Sequence, residues 1–342
     1  MPAALPIILC VPARDEEQAL PAFLAALSAL DVAGHDLTVC VYLDGCEDGS
    51  EALLRHASQT LPFALRVEGA ERRCGANAGA ARRSAMAMGL AILTGREGVL
   101  FTTDADSRPH SEWIGAGVAA LQVADAIAGR IVRLDAAADP VQSRIERYYD
   151  RLHIYRRLVD PVPWEAADTH HFTGGANMAL RASTYRALDG FQPLPSGEDA
   201  ALLDDAARAG FRVRRDGAMV VETSSRRHGR AVHGLASALR ALDNGCLPTV
   251  SHPYAAAWQW QGHAAARQAF ARIQLRDVRA RLGARLGLTA DHVLGVARDC
   301  PNAEAFAMRI VPASPVHAGA VTLAVAEEAL AALEAGMCEA AA

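Results

Sequence analysis

The sequence predicts an α/β protein: a mostly parallel sheet flanked by helices, followed by a helical C-terminal region. Two observations carry this. Apolar runs of strand length alternate with stretches of helical period over the first part of the chain, the pattern of a sheet covered on both faces. Three of the runs lead into acidic loops, "PARDEE", "DGCEDGS" and "DADS", and open α/β sheets gather ligands outside the carboxyl ends of their strands.

The elements follow in order. "LPIILCV" (5–11) reads as a buried strand, continuous, apolar and bounded by Pro. Residues 16–30 have helical spacing, with Pro21 early, where a missing amide costs least. Strands are expected at 36–44, 63–69 and 98–104, with a helix from "EDGSEALLRHAS" between the first two and an Ala-rich helix over 75–93. Further on, 124–134 reads as a strand and 139–159 as a long amphipathic helix. Residues 170–191 combine a glycine turn, a short strand and a short helix. A helix over 196–216 opens on acids and stops at Gly210, before a last strand-like run in "RVRRDGAMVVETSSR". From about residue 233 the text is Ala-rich and helical, including a basic amphipathic stretch (271–288) and a terminal helix (321–336). Two domains are expected, 1–232 and 233–342.

Composition narrows the classes. At 342 residues, 51% hydrophobic and 21% charged, the chain can bury a proper core. A net charge of −5 argues against non-specific nucleic-acid binding. The sequence contains no Lys, so every basic side chain besides His is Arg. Seven scattered Cys without a CxxC fit reduced thiols in a cytoplasmic protein. The N-terminus lacks a basic leader, and nowhere do about 18 uninterrupted apolar residues suggest a spanning helix.

Several motifs carry possible chemistry. Pro12 and Ala13 leave the first strand in a tight exit, with Asp15 offering a helix cap as the plain alternative. Asp44 ends the second strand, followed by Gly45. Asn77, Gly79, Arg82 and Arg83 open the Ala-rich helix, whose N-terminus offers free amides to an anion; a solvated basic face is the competing reading. Asp104 and Asp106 end the fourth strand, and alternate residues project to one side. Hard divalent cations take such carboxylates, completing their shells with water and phosphate oxygens. His170, His171, Gly174, Gly175 and Asn177 follow a long helix; adjacent His on a strand point to opposite faces, which favours a structural or acceptor-facing role. Glu198 and Asp199 sit at a helix start, and "SSRRHGRA" closes the readable region with Arg226, Arg227, His228 and Arg230.

In order and spacing, this set resembles the family 2 nucleotide-sugar glycosyltransferases of the GT-A fold, over roughly residues 5–230. The resemblance implies that Pro12, Ala13, Asp15 and Asp44 meet the nucleoside, that Asn77, Arg82, Gly175 and Arg230 line the nucleotide sugar, and that Asp104 leans toward ribose. It implies a divalent metal (Mg or Mn) on Asp106, with His228 as a further ligand, and Asp199, beside Glu198, as general base of an inverting transfer. Where the family usually has a second acid after the first, this chain has Gly45. The implied partners are a nucleotide-sugar donor and an acceptor that is a small molecule, glycan or lipid. The basic stretch at 271–288 suggests peripheral membrane contact or a homodimer. Two rivals stand beside this. A nucleotidyltransferase would want a Gly-rich loop where "PARDEE" stands; a degenerate domain would bind without catalysis.

Overall fold

The computed structural model describes residues 5–32, 34–71, 77–227, 229, 234–317 and 319–341. The first elements are β1 (Ile7–Ala13), α1 (Leu20–Ser28), β2 (Leu37–Asp44), α2 (Ser50–Ala57), β3 (Ala64–Ala70), α3 (Ala78–Leu93), β4 (Val99–Thr102), β5 (Arg108–Pro109), α4 (Trp113–Ala120) and β6 (Ala126–Arg133). They continue with α5 (Pro140–Val159), β7 (Met178–Arg181), α6 (Ala182–Ala187), α7 (Glu198–Ala209), β8 (Val213–Thr223) and α8 (Leu235–Asp243). The rest are β9 (Thr249–Ser251), α9 (Pro253–Phe270), α10 (Arg276–Leu286), α11 (Ala290–Arg298), α12 (Ala303–Ile310), β10 (Ala320–Thr322) and α13 (Leu323–Ala341).

The chain divides into two compact units: Met1–Ala138 with Phe172–Asp205 and Val213–Arg240, and Asp139–His171 with Ala206–Arg212 and Ala241–Ala342. Residues 139–171, which precede the sequence division at 232/233, therefore group with the second unit.

The first unit carries an eight-stranded sheet in the order β3-β2-β1-β4-β7-β6-β8-β5. Strands β3, β2, β1 and β4 are parallel neighbours; β7 lies antiparallel between β4 and β6, and β6 pairs in parallel with β8. Side-chain alternation sorts the strands onto two faces. Ile7, Leu9, Val11, Val39, Val41, Val99 and Phe101 pack with α1, α2 and α4, among them Phe23, Leu54 and Trp113. Ile8, Cys10, Cys40, Leu100, Met178 and Leu180 pack with α3, α6 and α7. Such two-sided burial is why these strands read as continuous apolar runs. One core polar group spans the sheet: the Asn177 amide donates to the carbonyls of Arg130 and Met219 and accepts from the Trp113 indole, each at 2.8 Å. Asn177 is therefore structural.

The second unit packs α9 to α12 around Phe306, Leu282, Leu286 and Val293, and α5 against α13 through Tyr148, Leu152 and Leu330. The helix expected over 271–288 starts at Arg276, because residues 271–275 turn after α9. Its apolar residues Val278, Leu282 and Leu286 are buried, while Arg276, Arg281 and Arg285 are exposed. His171 pairs with Asp150 at 2.8 Å and His170 is fully buried. Among the described residues, no helix is long and apolar enough to cross a membrane.

Candidate active site

Strand directions bring the carboxyl ends of β1, β2, β4, β6 and β8 to one edge of the sheet, together with the amino end of antiparallel β7. The candidate residues gather there. β1 runs on through Pro12 and Ala13, further than the sequence suggests. Pro12 is tolerated because β4 pairs with β1 only as far as Cys10, so the ladder beyond has a neighbour on one side. The chain then turns at Asp15, whose φ of 52° is left-handed. Asp15 is not the cap of α1, which begins only at Leu20 after Ala19; its Oδ1 instead accepts the Glu47 amide at 2.7 Å. Asp44, the last residue of β2, faces Arg14 at 3.4 Å.

Asp104 and Asp106 occupy the loop between β4 and β5, with Ala105 buried between them. The Asp104 carboxylate is 39% exposed and that of Asp106 14%. Burial pushes the Asp106 carboxyl up to about 6, the Asp104 charge adds to the rise, and Arg226 opposes it.

The arginine of α3 expected to face a diphosphate does something else. Arg82 is 5% exposed. Its guanidinium donates to Asp104 Oδ1 at 2.8 Å, Thr102 Oγ1 at 3.0 Å, the Gly175 carbonyl at 2.8 Å and Glu198 Oε1 at 3.2 Å. Burial works against its charge, and Asp104 and Glu198 more than restore it. Burial likewise pushes the Glu198 carboxyl up, with Arg82 pulling the other way. Arg83 reaches Asp189 and the Phe191 carbonyl, and Asn77 caps α3 on the Ala80 amide while donating to the Pro193 carbonyl. Asn77 thus holds the helix start, and Arg82 commits most of its guanidinium to its four protein acceptors.

Glu198 and Asp199 open α7, as the sequence suggests. Asp199 Oδ2 accepts the Gly175 amide and Oδ1 the Ala200 amide, both at 2.7 Å. Gly175 therefore joins the two sets, and no larger residue fits. A Cβ there would lie 2.5 Å from the Arg82 Cζ. Gly175→Ala is expected to lower stability by about 1–3 kcal/mol through overpacking, measured by urea denaturation, and to reduce turnover with it.

The sequence reading passed over Glu16. Its carboxylate takes a two-pronged pairing from Arg226, both contacts at 2.7 Å, and Arg226 Nη2 also lies 3.0 Å from Asp106 Oδ2. The doubled acid after a buried strand was the only sequence signal for it. His228 and Arg230 lie outside the described residues.

The donor set at Asp104 and Asp106 suits a hard divalent cation, since Mg²⁺ typically takes one or two carboxylates and completes its shell with water and phosphate oxygens. Among the described residues, Asp15, Cys46 and Asp48 form the one group of three metal-type donors. That group is a loop staple. Asp15 and Asp48 accept backbone amides, and the thiol, pushed up by burial, donates to the Ala13 carbonyl.

The fold is a mostly parallel α/β sheet flanked by helices, with the acidic loops at its carboxyl edge. Residues 3–233 match glycosyltransferase like family 2, and the chain belongs to that family. It is a glycosyltransferase. Among curated proteins none matches the sequence. Of solved structures, S. aureus TarS 1–349 in complex with UDP-GlcNAc is similar at 13% identity, over 89% of this chain and 90% of that one, with a TM-score of 0.49. The mannosyltransferase PcManGT from Pyrobaculum calidifontis, in complex with GDP-Man and Mn²⁺, shares 15% identity over 90% and 86%, TM-score 0.49. Glucosyl-3-phosphoglycerate synthase from Mycobacterium tuberculosis shares 19% over 71% and 79%, TM-score 0.44. Likeness at this level transfers no substrate.

Proposed function

We propose that the first unit moves a sugar from a nucleoside-diphosphate sugar to an acceptor hydroxyl with inversion. Asp106 would hold Mg²⁺ or Mn²⁺, with Asp104 toward the ribose, and the ion would supply Lewis-acid stabilisation of the departing diphosphate. Pro12, Ala13, Asp15 and Asp44 line the nucleoside end. Asp199 takes the proton of the acceptor hydroxyl, whose oxygen bonds to the anomeric carbon as the bond to the diphosphate oxygen breaks on the opposite side. The leaving diphosphate keeps the electron pair. A hydroxyl is a weak nucleophile until its proton has somewhere to go.

The observation that carries this reading is the Arg82 guanidinium, which joins Asp104 of the donor loop to Glu198, the neighbour of Asp199. Two backbone amides fix the Asp199 carboxylate, and each of its oxygens keeps a further lone pair for an acceptor. Glu198, buried against Arg82, serves as an anchor. Asp199→Asn is expected to lower kcat by about a hundred- to ten-thousandfold, the usual worth of a positioned base, while donor affinity stays near wild type. Turnover of UDP- and GDP-sugars, with calorimetric donor titration, checks this. A variant with wild-type kcat removes Asp199 from the mechanism.

A further inference from the structure

The acid assigned to the metal already has a cation beside it. Arg226 follows the carboxyl end of β8, and its guanidinium bridges Glu16 at 2.7 and 2.7 Å and Asp106 Oδ2 at 3.0 Å. Glu16 is a fixed anchor: it is 7% exposed, and its amide donates to Ser50 Oγ at 2.9 Å. The Arg226 side chain is 34% exposed, more than twice the exposure of the Asp106 carboxylate it meets. A divalent ion on the same carboxylate oxygen would face a like charge about 3 Å away, so both cannot stay as they are. A guanidinium fork, in turn, matches phosphate oxygens as well as carboxylate.

We propose that Arg226 is an internal counter-cation of Asp106: the metal displaces it, and the donor's diphosphate receives it, so metal and nucleoside diphosphate bind with a positive coupling that runs through Arg226. This rests on the reading above, in which Asp106 is a metal ligand. Metal alone must strip Arg226 from Asp106 and gives it nothing in return. With diphosphate present, Arg226 exchanges Asp106 for phosphate oxygens while Glu16 keeps its hold. Coupling of this kind is reciprocal, so diphosphate gains from metal by the same factor.

The test is a calorimetric cycle on the full chain with MnCl₂, uridine diphosphate and guanosine diphosphate, singly and together, correcting for chelation of Mn²⁺ by free nucleotide. Wild type and Arg226→Gln are compared after thermal melts show both folded. In the variant, Mn²⁺ alone is expected to bind several-fold tighter and diphosphate alone more weakly. The coupling factor is expected to fall by on the order of tenfold, within the range of site-to-site couplings, leaving only what direct metal–phosphate contact supplies. Unchanged affinity for Mn²⁺ alone together with unchanged coupling in Arg226→Gln overturns the proposal. So does independent binding of metal and diphosphate to wild type, an outcome that needs no variant and leaves the glycosyltransferase reading standing. If wild type binds neither Mn²⁺ nor either diphosphate, that reading falls and this proposal with it.

Discussion

Arg82→Ala is expected to cost about 3–5 kcal/mol of stability, the usual penalty for breaking a buried ion pair from one side, and to abolish turnover. The magnitude follows from what is left behind. Arg82 and Glu198 are both almost wholly buried, so removing the guanidinium strands a carboxylate without its counter-charge. It also frees the Gly175 carbonyl and Thr102 Oγ1 from their donor. Arg82→Lys is the sharper variant. It keeps the charge, but an ammonium on a single stem cannot reach four acceptors spread over residues 102, 104, 175 and 198. Its stability loss is expected to be smaller, yet kcat should drop about a hundredfold, the scale of a small misplacement of reacting groups. Urea denaturation and donor turnover measure the two effects. An Arg82→Lys enzyme near wild type in both would mean that the hub does not position the site.

Asp106→Asn is expected to do opposite things to stability and activity. In the folded chain the Asp106 carboxyl is raised to about 6, chiefly by burial. Between its usual range near 4 and this raised value, the folded state holds more protons than the unfolded one, so stability falls as pH rises through that window. Above it the buried charge weakens the fold. Removing the charge should therefore stabilise metal-free protein by about 1–3 kcal/mol at pH 7. The gain should shrink as pH drops toward 4, where the folded carboxyl is neutral and only the unfolded one is still partly charged. Denaturant titrations in EDTA at pH 4 and 7 read this directly, and a variant that is less stable than wild type at pH 7 would refute it. Donor turnover should be lost at the same time, because the residue that strains the fold is one assigned to the metal. Strain at functional positions is commonly tolerated in this way.

Much of this was legible in the residues. The strand and helix alternation through residue 104 reads directly, because two-sided burial writes each strand as an apolar run. The acid pair at 104 and 106 and the acidic helix start at 198 are local patterns, and the structure has both at the sheet's carboxyl edge. Partners across the chain were not legible. Nothing in "AARRS" distinguishes Arg82, buried among four acceptors, from Arg83 one residue later, which reaches exposed Asp189. The helical period gives a rough face, and only the arrival of Glu198, 116 residues on, decides which arginine is inside. Asn177 stands in a glycine turn whose residues alone do not reveal its three core partners, which come from α4, β6 and β8. Glu16 escaped because its meaning depends on Arg226, 210 residues away.

The position of β7 bears on how the chain is made. This four-residue strand fills the middle of the sheet, between β4 and β6, yet it is translated after both. Until Met178 to Arg181 have left the ribosome, β4 presents an open edge whose apolar residues Val99, Leu100 and Phe101 have no partner on that side. Open apolar edges template association between chains, and incomplete sheets are where folding intermediates aggregate. The strand that closes this edge follows directly on the turn that brings Gly175 to Arg82. Closing the vulnerable edge and delivering the first long-range partner of Arg82 thus fall together in the life of the nascent chain, with Glu198 following in α7, so a polypeptide stalled before this strand lacks both partners and is exposed to capture by its neighbours.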